Sequence, residues 1–257
     1  MFTLSGRTAV VIGATGYQGL GIVRALLDGG MNVAMLTHMP ERVAPIIASL
    51  PEEQRSRCAG ISNEGGDGPS LSRVVETFGS LDVLIPNHGP GPRAEGLAEL
   101  DFEDFSRRLN MMVAGTANII RCALPYLEKS SAGRIILISS AGARLGLAEE
   151  GFADCVVKGA VQSMTSYLAR ELAPKGITVN CIAKSGLKDT PFLKKPEPGK
   201  PPVLGEPTDS PLLGKIPLGF SGTPDSFGAA AAWLASEEAG FVTGEIVNLS
   251  GGLLLGY

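Results

Sequence analysis

The 257-residue chain has no apolar run approaching the length of a bilayer span, no closely spaced cysteine pair and no surplus of basic residues. The first absence argues against a transmembrane protein. Cys58, Cys122, Cys155 and Cys181 are widely separated and form no CxxC pair, so neither a metal site nor a disulfide framework is expected. A net charge of −4 argues against a nucleic-acid partner and gives no reason to expect an anionic membrane as one. Met1–Arg7 lacks the basic segment and apolar stretch of a secretory signal, and a cytoplasmic location is expected.

What is present is an ordinary globular composition, 44% hydrophobic and 19% charged, in a length that fits one α/β domain spanning residues 1–257. Short aliphatic runs at Thr8–Gly13, Asn32–Leu36, Val83–Pro86, Arg134–Ser139, Thr178–Ile182 and Glu245–Leu249 read as strands. Helical periodicity falls between them, at Gly19–Asp28, Glu41–Leu50, Leu71–Phe78, Phe102–Leu127, Asp154–Leu172 and Pro224–Ser236. That alternation predicts a doubly wound parallel sheet with helices on both faces. The stretch 187–218 carries eight prolines and little periodicity, and is expected to be a mobile loop over a substrate site.

After the first strand, Gly13-Ala14-Thr15-Gly16-Tyr17-Gln18-Gly19 turns into a helix. Glycines let the backbone approach a pyrophosphate, whose charge is favoured at a helix N-terminus. The context predicts a Rossmann-type dinucleotide site. The second strand ends Met35-Leu36-Thr37-His38, with no acid to accept from a free ribose hydroxyl. NADP(H) is therefore expected over NAD(H), with His38 near the 2′-phosphate.

Further motifs carry a family resemblance that runs nearly end to end. They are Leu81–Gly89 with Asn87 and Gly89, Asn110, the strand Gly133–Ser140, Lys158-Gly159-Ala160-Val161, Glu171–Asn180, and Ala239–Glu245 with Ser250-Gly251-Gly252. Together they resemble the short-chain dehydrogenase/reductase family. The resemblance implies a catalytic set of Asn110, Ser140 and Lys158. It also implies cofactor contacts from the glycine turn, Ile61, Asn87, Gly89, Lys158, Leu187 and Thr190, and a dimer or tetramer built on the two long helices. A small-molecule substrate is expected.

The departures are as informative. The family's Tyr-x-x-x-Lys reads Asp154-x-x-x-Lys158, and no such tyrosine occurs elsewhere. Pro86 and His88 replace residues of the family's NNAG segment, Gly60 stands where an acid holds adenine, and Lys184-Ser185 replaces a proline-glycine. In the family the tyrosine exchanges a proton with the substrate oxygen. Asp154 has an unperturbed pKa of about 3.9, and its carboxylate reaches roughly 3 Å less from Cα than a phenol does. An i,i+4 pairing with Lys158 and a place in the first helical turn are expected to hold its pKa down. His88 is a spare titratable group beside the nicotinamide region. Glu149 and Glu150 read as solvated loop residues close enough to the site to be candidates.

Three functions remain open. The first is an NAD(P)(H)-dependent oxidoreductase of a small carbonyl, alcohol or activated alkene, with proton delivery rearranged around Ser140, Asp154, Lys158 and His88. The second is a non-catalytic dinucleotide sensor or scaffold. The third is a non-redox lyase or epimerase using Asp154 as base.

Overall fold

A computed structural model describes residues 2, 4–63, 67–188 and 208–256. In chain order the elements are β1 (Thr8–Ile12), α1 (Tyr17–Asp28), β2 (Asn32–Thr37), α2 (Val43–Ala48), α3 (Glu52–Arg55), β3 (Cys58–Ser62), α4 (Asp67–Phe78) and β4 (Val83–Pro86). They continue with α5 (Phe102–Leu109), α6 (Gly115–Leu127), β5 (Arg134–Ser140), α7 (Gly142–Leu145), α8 (Phe152–Leu172), β6 (Thr178–Lys184), α9 (Pro224–Ala235) and β7 (Ile246–Leu249). All strand pairs are parallel, in the order β3-β2-β1-β4-β5-β6-β7. The order reverses between β1 and β4, and a crevice at such a switch point is where α/β sheets place their ligands.

The strands read as unbroken apolar runs because both faces are covered. Val11, Met35, Ile85 and Ile138 pack with α1, α2 and α9, whereas the alternate residues Val10, Leu36, Leu84 and Leu137 pack with α4, α6 and α8. Each such side chain contributes about 1.5–3 kcal/mol relative to exposure. Helices α1 and α9 approach through glycines. A Cβ on Gly21 would lie 2.1 Å from the Pro224 carbonyl oxygen, and one on Gly228 would lie 2.2 Å from that of Gly21.

Short helices α3 and α7 were not expected from the sequence, and two further elements differ from its reading. Edge strand β3 has no aliphatic run to announce it; Gly60 sits in it because Val43 of α2 fills the space a side chain would need. The helix expected over Phe102–Leu127 is interrupted by a π turn at Asn110–Ala114, where the Gly115 N–H reaches back to the Asn110 carbonyl. Most of the expected loop, 189–207 with Thr190, lies outside the described residues. Its flanks are anchored: Leu187 bridges Gly222 and Ile216 is buried. No helix among the described residues is long and apolar enough to cross a membrane.

Gly21→Ala is expected to cost about 1–3 kcal/mol by overpacking the α1–α9 contact. Urea unfolding should show a lowered midpoint, and an unchanged midpoint would refute the tight approach.

Candidate active site

The glycine turn is shaped by backbone contact. Gly13 has φ +70°, and a Cβ on it would lie 2.0 Å from the Asn87 carbonyl oxygen at the end of β4. A Cβ on Gly19 would lie 2.2 Å from the Gly13 carbonyl oxygen, so helix, turn and β4 are locked together by residues that have none. Gly16 is the N-cap of α1 and brings no side chain to its first-turn N–H groups, while Thr15 is buried and Tyr17 and Gln18 open the helix. That end of α1 suits an anion. Lys184, at the end of β6, donates from Nζ to Gln18 Oε1 and lies 5.7 Å from the Phe227 ring centroid. It thus adds a cation where the sequence reading found only a departure. The cradle fits a dinucleotide pyrophosphate.

Beyond β4, the half-buried Asn87 and His88 and the exposed Gly89 face the π turn. His88 Nε2 stands 2.9 Å from the Met111 carbonyl, which assigns the proton to Nε2 and leaves Nδ1 as a buried lone pair with no protein partner. Burial lowers the His88 pKa, opposed by the hydrogen bond to the Met111 carbonyl and assisted by the Lys158 charge, which favours the neutral ring. Asn110 is exposed at the start of the turn. π turns recur at functional sites. Ser140 ends β5, in register with Lys184. Helix α8 is stapled alongside: the Ser139 hydroxyl donates to the Lys158 carbonyl at 2.9 Å, and Lys158 Nζ donates to the Ile138 carbonyl at 3.0 Å. Desolvation of that amine lowers its pKa, against the opposing pull of Asp154.

The matches with known proteins follow this arrangement. A family model described as Enoyl-(Acyl carrier protein) reductase matches residues 13–254. L-fucose dehydrogenase of Bos taurus is 32% identical, over 98% of this chain and 91% of that protein. The 3-oxoacyl-[acyl-carrier-protein] reductase FabG of Rickettsia felis is 29% identical over 99% of this chain and all of its own. Among solved structures, a short-chain dehydrogenase/reductase described as glucose/ribitol dehydrogenase from Brucella melitensis superposes with a TM-score of 0.83 at 27% identity, covering 99% of both chains. The chain belongs to the short-chain dehydrogenase/reductase family. Family members are oxidoreductases that bind nicotinamide dinucleotides.

Asp154, where the resemblance led a tyrosine to be expected, is committed elsewhere. Asp154 does not pair with Lys158 as the spacing predicted. Its Oδ1 accepts from Arg108 Nη1 at 3.1 Å, and Arg108 also holds Asp104 at 2.6 Å and the Gly91 carbonyl at 3.1 Å. Nor is its pKa held down: burial raises it, outweighing the nearby Lys158 and Arg108 charges. Spacing along α8 could not reveal Arg108, because its contact with Asp154 spans 46 positions.

The correction at Glu150 is larger. It is buried, not solvated; Oε2 accepts from the Ser140 hydroxyl and Oε1 from the Ser185 hydroxyl at 2.6 Å. The two serine oxygens are 2.9 Å apart, and the Gly142 N–H donates to Ser140 Oγ at 3.0 Å. A Cβ on Gly142 would lie 2.3 Å from Glu150 Oε2, so the glycine makes room for the carboxylate. Glu149 is the half-exposed member of the pair, 2.5 Å from Lys215. Next to this cluster, a cavity of about 720 Å³ is lined by Gly142, Leu147, Phe152, Cys155 and Glu95, among others.

At the ribose end, His38 is exposed and the Thr37 hydroxyl accepts from the Met39 N–H at 2.9 Å. A cavity of about 220 Å³ is lined by Thr37, Val43, Gly60, Ile61 and Ser62. A side chain at Gly60 would meet Val43 Cγ1 at 2.4 Å, so no carboxylate enters there.

Asp154→Ala should destabilise the fold by about 1–3 kcal/mol, the scale of a lost hydrogen bond to a charged group, because Arg108 stays buried. Urea denaturation checks this, and a neutral result would show that Arg108 does not depend on Asp154.

Proposed function

We propose that the protein is an NAD(P)(H)-dependent oxidoreductase of small alcohols or carbonyls whose proton chemistry does not run through Asp154. The observation that carries this reading is Ser140, its hydroxyl fixed by three polar neighbours at the end of β5, with Lys158 stapled to the same strand. In its support, the phosphate cradle at α1, Ser140 and Lys158 all lie at the C-terminal ends of the strands. When bound, a nicotinamide dinucleotide would take a hydride from a carbinol carbon or give one to a carbonyl carbon. Gly13, Thr15, Gly16, Tyr17, Gln18, Gly19 and Lys184 would hold its phosphates, while Asn87, Gly89 and Lys158 would border its nicotinamide half.

NADP(H) is favoured over NAD(H) in this proposal because neither Thr37-His38 nor Gly60 offers a carboxylate. His88 acts as a wall and an acceptor, since its only N–H is directed at the Met111 carbonyl. The printed activities of the relatives suggest substrates to try: L-fucose, glucose, ribitol and a 3-oxoacyl thioester. The large exposed side chains of Phe102, 67%, and Tyr167, 69%, lie on the helices proposed to form a dimer or tetramer, which sedimentation would reveal. One observation favours a non-catalytic binder instead: both Asp154 and Lys158 are turned towards protein groups.

The deciding experiment is a fluorescence titration with NADPH and NADH, followed by turnover on the four substrates. Binding with NADPH preferred, and a loss of about 10²-fold or more in kcat in Ser140→Ala with binding intact, is the expected result. Binding without turnover on any of them, unaltered by Ser140→Ala, would favour the sensor. Lys184→Ala should weaken dinucleotide binding by about tenfold, which is the effect of about 1.4 kcal/mol, and more so at low salt. Unchanged affinity would remove Lys184 from the phosphate site.

A further inference from the structure

We propose that Glu150, acting through Ser140, holds the proton that an alcohol substrate releases, and so takes over the task left by the absent tyrosine. This rests on the oxidoreductase reading above, but its structural basis is separate. Ser140, Ser185 and Glu150 form a closed three-membered ring of hydrogen-bonding groups, each at most 9% exposed. An ionised carboxylate satisfies the ring when both hydroxyls donate to it, one to each oxygen. A neutral carboxyl adds a third bond: Glu150 Oε2–H donates to Ser140 Oγ, the Ser140 hydroxyl to Ser185 Oγ at 2.9 Å, and the Ser185 hydroxyl to Glu150 Oε1 at 2.6 Å, whereas in the ionised ring the serine–serine contact carries no proton. Every donor and acceptor needed for either state is already in place, so one proton can be stored or released without leaving a buried polar group unpaired.

A serine hydroxyl has two acceptor lone pairs. In the ionised ring the Gly142 N–H occupies one on Ser140 Oγ; the other faces Ser185 Oγ at 2.9 Å with no proton between them, and it accepts the substrate hydroxyl once the Ser185 oxygen turns aside. As the carbinol hydrogen departs as hydride, the substrate O–H bond breaks and its proton joins Ser140 Oγ. The proton formerly on Ser140 passes to Glu150 Oε2. The hydride would go to an oxidised nicotinamide dinucleotide, so the products would be a carbonyl, the reduced dinucleotide and a neutral Glu150 carboxyl; carbonyl reduction runs the same transfers backwards. Asp154 cannot supply this service while Arg108 holds it. Glu150 is thus a positioning and proton-holding residue, and Ser140 is the group that touches substrate.

Two measurements test this independently. In the first, protein labelled with ¹³C at the glutamate carboxyl carbon is followed by NMR, and the Glu150 resonance is assigned by its loss in Glu150→Gln. The expected resonance changes its chemical shift in Ser185→Ala, which opens the ring. A Glu150 resonance left unmoved by Ser185→Ala overturns the proposal.

In the second, turnover of L-fucose, glucose, ribitol and a 3-oxoacyl thioester is followed against pH. Glu150→Gln should lower kcat by about 10²–10⁴-fold, the usual worth of a general base, and erase one limb of the profile with KM unchanged. Ser185→Ala should lower kcat less and displace that limb. Full activity with an unaltered profile in both variants overturns the proposal. If Glu150→Gln does not fold, Ser185→Ala alone decides. A resonance that responds to Ser185→Ala with no turnover sinks the oxidoreductase reading and leaves the ring standing; turnover with an unresponsive resonance does the reverse.

Discussion

Two carboxylates four residues apart, Glu150 and Asp154, are both buried at the ends of β5 and α8, and neither can stay there without a partner. How each is satisfied organises everything around them. Arg108 reaches from α5 to Asp154 and, by the same guanidinium, holds the loop after β4 through Gly91 and its own helix through Asp104. Glu150 instead receives two hydroxyls from the ends of β5 and β6. One acid therefore fastens helices together, and the other is placed among groups that can rearrange their protons. The same chemical type has been divided between an ion pair and a ring of hydroxyls by its neighbours alone.

The two halves of the sheet divide the labour further. The turn after β1 exposes backbone, with glycine demanded there by steric contact. The ends of β5 and β6 bring side chains, Ser140 and Lys184. The seam between β1 and β4 joins them, and the Asn87 carbonyl pressing on Gly13 makes the turn and the π-turn region parts of one rigid assembly.

Local pattern was enough for the doubly wound architecture, because strands buried on both faces are recognisable as aliphatic runs and the glycine turn is contiguous in sequence. It failed at β3, where Gly60 and Ala59 carry no strand propensity and pairing with β2 decides the conformation. It also failed at the carboxylates. Ser185 and Glu150 are 35 positions apart, and Arg108 and Asp154 are 46. A spacing rule within one helix sees Lys158 opposite Asp154 and nothing else. The π turn was hidden for a related reason: its residues, Asn110-Met111-Met112-Val113-Ala114, are as compatible with an α-helix as with the wider turn.

The contact between Gly60 and Val43 limits what the edge of the sheet can carry. With a virtual Cβ only 2.4 Å from Val43 Cγ1, an acid introduced at position 60 would be rejected by the packing before it could touch a ligand. Admitting one would require Val43 to shrink as well, so the glycine is held in place by the packing of α2 on β3.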